Sequence, residues 1–129
     1  MEYRQLVHLA AEAKKNAYNP YSGYSVGAAL VSEDGTVFTG CNIENIAYPS
    51  GICAERVAFS KAISEGFRKF KAIAIIGSTD EMAYPCGMCR QFMAEFVGPE
   101  FVVICANKNG EYEQFKFSEL LPNSFSAKF

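Results

Sequence analysis

Two short segments hold most of the chemistry this chain could perform: Cys53-Ala54-Glu55 and Pro85-Cys86-Gly87-Met88-Cys89. Both fall where a helix is expected to begin. Three thiolates from two adjacent helix N-termini can supply three corners of a tetrahedron. Zinc held by three protein ligands keeps a fourth position open for water, the arrangement of a catalytic site; a fourth thiolate would close the site and make it structural. The candidates for a fourth are Cys41, late in a strand, and Cys105, inside the apolar run that begins at Phe101. A buried inert thiol is the commoner state of both. With five cysteines and one histidine, His8, a transition-metal site must be mostly thiolate, which favours zinc or iron–sulfur.

Glu55 stands two positions after Cys53, an offset that does not place both side chains on one helix face. It need not be a second ligand to the same ion. From the first turn it can reach alongside a metal site, take a proton from water and deliver it to a substrate atom. A carboxylate there also complements the helix dipole. Arg56 has a separate rationale. Three thiolates and a divalent zinc sum to a negative charge, which weakens the metal as a Lewis acid. A guanidinium beside Cys53 can donate to the sulfurs and withdraw that charge, and Gln91 is expected to help orient it.

These segments need elements to position them. Leu6, Val7, Leu9, Ala10, Ala13 and Ala17 recur at helical spacing, which predicts a helix from Glu2 to Tyr18, stopped by Asn19-Pro20-Tyr21-Ser22-Gly23. Strands are expected over Tyr24 to Ser32 and Thr36 to Asn42, joined at Asp34-Gly35. A polar loop from Glu44 to Gly51 leads to a helix from Cys53 to Ser64. A buried strand over Phe70 to Ser78, a helix over Cys86 to Val97 and a strand over Phe101 to Ala106 follow. Asn109-Gly110 turns the chain into Tyr112 to Phe117, and a short helix starts at Ser118. Strands separated by helices imply crossovers and a parallel arrangement, while the hairpins add antiparallel strands. The expected fold is an α/β/α sandwich around a five-stranded mixed sheet, one domain over residues 1–129.

Composition narrows the function. Half the residues are hydrophobic and 20% are charged, which excludes disorder. No apolar run approaches the roughly 18 residues of a membrane span. Twelve basic and fourteen acidic residues leave a net charge of -2, a poor partner for nucleic acid. An odd number of cysteines behind an N-terminus without a signal-type apolar segment predicts reduced thiols and a cytoplasmic protein.

The residues along nearly the whole chain resemble the zinc-dependent cytidine deaminases, of the short type with three cysteine ligands. The resemblance rests on Ala17 to Ala29, Gly40-Cys41-Asn42-Ile43-Glu44-Asn45, Cys53-Ala54-Glu55-Arg56, Pro85-Cys86-Gly87-Met88-Cys89-Arg90-Gln91 and Glu119-Leu120-Leu121-Pro122 to Phe125, in the family's order and spacing. It implies hydrolytic deamination of cytidine and 2′-deoxycytidine to the uridines, with release of ammonia, in pyrimidine salvage. It also implies one zinc per chain on Cys53, Cys86 and Cys89, with Glu55 as the proton carrier. Asn42 and Glu44 would bond the sugar hydroxyls, the backbone of Ala54 would meet the pyrimidine, and Tyr24 and Phe125 would flank it. Phe125 would come from a neighbouring subunit of a homotetramer, on a tail Ser124-Phe125-Ser126-Ala127-Lys128-Phe129 that needs a neighbour to order it. Tyr24 departs from the family's usual phenylalanine, and its hydroxyl needs water or a partner.

Other readings are a deaminase of a modified nucleoside or nucleoside antibiotic, a polynucleotide-editing deaminase, and a non-enzymatic zinc module. Asn42 and Glu44 favour a substrate with a ribose. The absence of a basic groove opposes a polynucleotide. Glu55 opposes a purely structural site.

Overall fold

In the computed structural model, which describes residues 1–126, alternate strand residues sort their side chains to the two faces of one sheet. Ala127, Lys128 and Phe129, part of the tail expected to dock on a neighbour, lie outside the described residues. The strands β1 (Gly27–Ser32), β2 (Val37–Cys41), β3 (Phe70–Ile76), β4 (Val102–Ala106) and β5 (Tyr112–Lys116) lie in the order β2-β1-β3-β4-β5. The helices are α1 (Tyr3–Lys14), α2 (Ala54–Ser64), α3 (Gly87–Ala94) and the single turn α4 (Phe117–Leu120).

Ala29 and Val31 of β1, Ala72, Ala74 and Ile76 of β3, and Ile104 and Ala106 of β4 pack with Leu6, Val7 and Ala10 of α1. The interleaved residues Ala28, Leu30, Ile73, Ile75, Val103 and Cys105 pack on the other face with α2 and α3. A strand covered on both faces has no solvated side, so β1 is buried at every position and reads as a continuous apolar run. This is the expected three-layer α/β/α arrangement around a five-stranded mixed sheet.

The strand directions refine the sequence reading. Of the adjacent pairs, β3–β4 is parallel, while β1 pairs antiparallel with both β2 and β3. β2 and β3 therefore run the same way with β1 between them, and the connection through α2 steps over β1. Helix α1 ends at Lys14, short of the expected Tyr18, because Tyr18 turns to bridge Ile43 and its amide donates to the Asn42 carbonyl at 3.0 Å. The ladder of β1 starts at Gly27, later than the expected Tyr24. The preceding residues are held by side chains instead.

Two packing features bring the chemistry-bearing segments together. A Cβ at Gly40 would stand 2.5 Å from the Ala54 carbonyl oxygen and 2.7 Å from the Ala58 nitrogen, so only glycine lets the first turn of α2 rest directly on β2. Phe59 of α2 packs its ring against Phe92 and Phe96, each with centroids 6.3 Å away, which locks α2 beside α3 and brings their N-termini together.

Candidate active site

Cys53 and Cys86 are the N-cap residues of α2 and α3, both in extended backbone conformation, and Cys89 follows Cys86 by one helical turn. Their three sulfurs lie within 4.8 Å of one another. Cys53 is half-buried, Cys86 exposed and Cys89 fully buried. A thiolate-only donor set at this spacing suits zinc, which bonds sulfur at about 2.3 Å. Among the described residues neither Cys41 nor Cys105 joins the group. Cys105 is buried in β4 on the face packed by α2 and α3, where burial pushes its thiol up to about 12.

The sulfurs already carry the imprint of a charged cluster. The Cys53 thiol is held down to about 5, first by a hydrogen bond from the Cys89 thiol and then by Arg56. The same contact and burial push Cys89 upward. Arg56 Nη2 lies 3.9 Å from Cys53 Sγ and donates to the Gly51 carbonyl at 3.3 Å. Its Nε–H is buried with no partner among the described residues, so the cluster retains a donor beside it that a more negative group would engage.

Glu55 is buried, with 4% of its surface exposed, in the wall of a pocket of about 530 Å³ that also takes in Cys53, Ala54, Arg56 and Cys86. Burial, and then the Cys53 thiolate, push its carboxyl up to about 7, against its own backbone amide, which favours the charged form. A carboxyl that titrates near neutrality can both accept and release a proton. Tyr24, Asn42 and Glu44 line the same pocket, as do Ser22, Val26, Tyr48 and Met88.

Asn42 and Glu44 are more than a solvated strand end. The Asn42 amide accepts from the Val26 nitrogen at 2.9 Å and donates to the Tyr24 carbonyl at 2.8 Å. Glu44 accepts from the backbone amides of Tyr21 and Ser22 at 2.9 and 3.1 Å and from the Ser22 hydroxyl. The two side chains thereby pin residues 21–26 across the pocket. Ser25 adds a third tie, its amide donating to Ser78 Oγ at 2.9 Å. The Tyr24 hydroxyl, half-buried, reaches the end of β3 and lies against Gly77.

Gln91 and Phe125 do not line the pocket of their own chain. Gln91 is exposed and donates to the Phe125 carbonyl at 2.9 Å, so it is turned to the C-terminal segment and not to Arg56. The orientation of Arg56 comes instead from the Gly51 carbonyl. Phe125 is 81% exposed and is not among the residues lining the pocket of its own chain. Sequence reasoning passed over Gly77, Ser22 and Ser78. Ser22 lies inside the segment Ala17 to Ala29, but only the three-dimensional approach of residues 22–25 to the ends of β2 and β3 reveals its contacts and those of Gly77 and Ser78.

Residues 1–105 match the family model described as the cytidine and deoxycytidylate deaminase zinc-binding region. The chain is 47% identical over 128 residues to the cytidine deaminase of Sporosarcina psychrophila, covering 99% of this chain and 94% of that protein. The chain belongs to the cytidine deaminase family. A second relative, the cytidine deaminase of Halalkalibacterium halodurans, is 44% identical over 99% of this chain and 97% of its own length. The 1.6 Å crystal structure of cytidine deaminase from Burkholderia pseudomallei superimposes with a TM-score of 0.93 at 43% identity, covering 97% of this chain and 100% of that one. The crystal structure of cytidine deaminase from Mycobacterium tuberculosis gives 0.83 at 33% identity over 98% of this chain and 99% of that one. Within a zinc-binding cytidine deaminase fold, the three-cysteine cluster is suited to one zinc ion.

Proposed function

We propose that the protein catalyses the hydrolytic deamination of cytidine and 2′-deoxycytidine to uridine and 2′-deoxyuridine, releasing ammonia, as a step of pyrimidine salvage. The observation that carries this reading is the buried Glu55 carboxyl in the wall of a pocket beside three clustered sulfurs. Cys53, Cys86 and Cys89 would hold the zinc ion. Zinc, when bound, supplies the Lewis acidity that makes water a nucleophile near neutral pH.

Glu55 takes a proton from the attacking water and delivers it to N3 of the cytosine ring, which makes C4 electrophilic. The water oxygen bonds to C4; Glu55 then carries the second proton from that oxygen to the exocyclic amino group, the C4–N bond breaks, and the nitrogen leaves as ammonia. Arg56 offsets the negative charge of the thiolates. The Ala54 backbone meets the pyrimidine, and the rings of Tyr24 and of Phe125 from a neighbouring subunit flank it. Asn42 and Glu44 hold the sugar hydroxyls. Their contacts to residues 21–26 leave them bonding capacity for this, since an amide nitrogen has two N–H groups and a carboxylate about four acceptor sites.

The whole chain acts as one domain, and four copies assemble with shared sites. Ile46, Tyr48, Met88 and Phe125 support this assembly: all four are large, apolar and at least 65% exposed, and Tyr48 and Met88 stand at the pocket wall. The cytoplasmic compartment is supported by the five cysteines, none of them in a disulfide, a state that persists in a reducing environment. No helix among the described residues is long and apolar enough to cross a membrane.

A panel of cytidine, 2′-deoxycytidine, cytosine, dCMP and a cytosine oligonucleotide, followed by ammonia release, tests the substrate. The two nucleosides should turn over, and the free base and the oligonucleotide should not. Sedimentation at micromolar concentration should give a mass near that of four chains. Turnover confined to the oligonucleotide, or a fully active monomer, would overturn the reading.

A further inference from the structure

The two residues after Cys89 both reach the C-terminal segment. Arg90 Nη1 donates to the Leu120 carbonyl at 2.6 Å, and Arg90 Nε donates to the Pro85 carbonyl, immediately before Cys86, at 2.8 Å. Gln91 Nε2 donates to the Phe125 carbonyl at 2.9 Å, across 34 residues of sequence. α4 ends at Leu120, and residues 121–126 have neither helix nor strand to hold them. The backbone of Phe125 is therefore fixed by a side chain of α3, while its ring is 81% exposed. An exposed large ring on an immobilised backbone loses little further entropy when a partner receives it.

We propose that Gln91 is a positioning residue that sets Phe125 on the surface for insertion into the pocket of a second copy of this chain. The inference rests on the shared-site reading above and goes beyond it by naming what holds the donated ring in place. α3 is the natural anchor. It starts at Cys86 and carries Cys89 in its first turn, so the sulfur cluster of one chain and the ring it donates are referenced to one rigid element. Arg90 is a less selective probe of this link, because it also grips the residue preceding Cys86. Gln91 is exposed, and its truncation leaves no hole in the core.

The test compares Gln91→Ala, Gln91→Lys, Phe125→Ala and the Gln91→Ala/Phe125→Ala double variant, in zinc-loaded protein with cytidine. Zinc content and sedimentation mass are measured on each. Gln91→Ala should raise KM roughly three- to tenfold, the loss of about one hydrogen bond, with kcat within about twofold. Zinc content and mass should be unchanged. Gln91→Lys, which keeps an N–H donor, should stay closer to the parent. In the Phe125→Ala background, Gln91→Ala should add nothing. If Phe125→Ala raises KM and Gln91→Ala does not, or if the two effects simply add, the role of Gln91 is overturned while the shared site stands. If Phe125→Ala leaves KM unchanged, the shared site falls and the inference falls with it.

Discussion

The Tyr24 hydroxyl occupies the space beside Gly77 that a side chain would need: a Cβ there would stand 2.0 Å from the Tyr24 oxygen and 2.8 Å from the ring carbon that bears it. Burial pushes this phenol upward, followed by the charges of Glu55 and Glu81, so it stays a neutral donor at neutral pH. Gly77→Ala should displace the ring, cost about 1–3 kcal/mol of stability as overpacking does, and raise KM for cytidine. Adding Tyr24→Phe should recover part of both losses, because the closest clash is with the hydroxyl. Melting curves and KM for the single and double variants check this, and a Gly77→Ala protein indistinguishable from the parent would contradict it.

Arg56 is the one cation found bonding a sulfur of the cluster among the described residues, through Cys53 at 3.9 Å. Arg56→Ala should keep zinc and lose activity by roughly ten- to a hundredfold, the range of a lost charge-assisted hydrogen bond. Arg56→Gln should lose less, since an amide still donates. Zinc content and kcat measured together decide this. Full activity in Arg56→Ala would mean that helix N-termini alone offset the thiolates.

Glu44 gives a pH signature in the loop over the pocket. The Ser22 hydroxyl, and then the backbone amides of Ser22 and Tyr21, hold its carboxyl below the ordinary 4.5. A depressed folded pKa adds stability that is complete above the unfolded value and is lost as pH falls through the folded one. Glu44→Gln should therefore melt lower than the parent above pH 4.5, and the gap should close on acidification below it. A gap that is constant across this range, or that widens in acid, would show that the carboxylate does not order residues 21–24.

Cys86→Ala removes one of the three sulfurs, and metal binding is coupled to folding. The variant should purify without stoichiometric zinc and melt several degrees lower, by roughly the 4–8 °C that each kcal/mol shifts a small domain or more. A chelator should lower the melting temperature of the parent and leave the variant nearly unchanged. Retention of one zinc per chain in Cys86→Ala would require a different ligand set.

What the sequence made legible was the part governed by local pattern. Strand-length apolar runs, helical spacing and the two turns at Asp34-Gly35 and Asn109-Gly110 specify the elements. Three cysteines at two helix starts specify the cluster. The remainder depends on contacts between distant residues. Gln91 closes the segment that carries Cys86 and Cys89, where orienting Arg56 is the expected role, yet it bonds Phe125, because the C-terminal segment returns along α3. Asn42 and Glu44 are polar residues at a strand end, and nothing in their neighbourhood along the chain tells that they grip residues 21–26. The approach of Gly40 to Ala54 and of Gly77 to Tyr24 is equally silent, since a glycine looks the same whether it serves a turn or a close contact.

On the proposed function, Glu55 carries the protons in a zinc-dependent deamination of cytidine. The most direct measurement is single-turnover absorbance of cytidine with zinc-loaded parent and Glu55→Gln proteins at neutral pH, with zinc content determined on the same samples. The parent should convert cytidine to uridine with one ammonia released per turnover. Glu55→Gln should keep the fold and one zinc per chain and lose roughly 10²–10⁴-fold in rate, or more if the same carboxyl acts at both proton transfers. A zinc-loaded parent that leaves cytidine untouched would contradict the proposed deamination, and a Glu55→Gln protein within about tenfold of the parent would contradict proton transfer by Glu55.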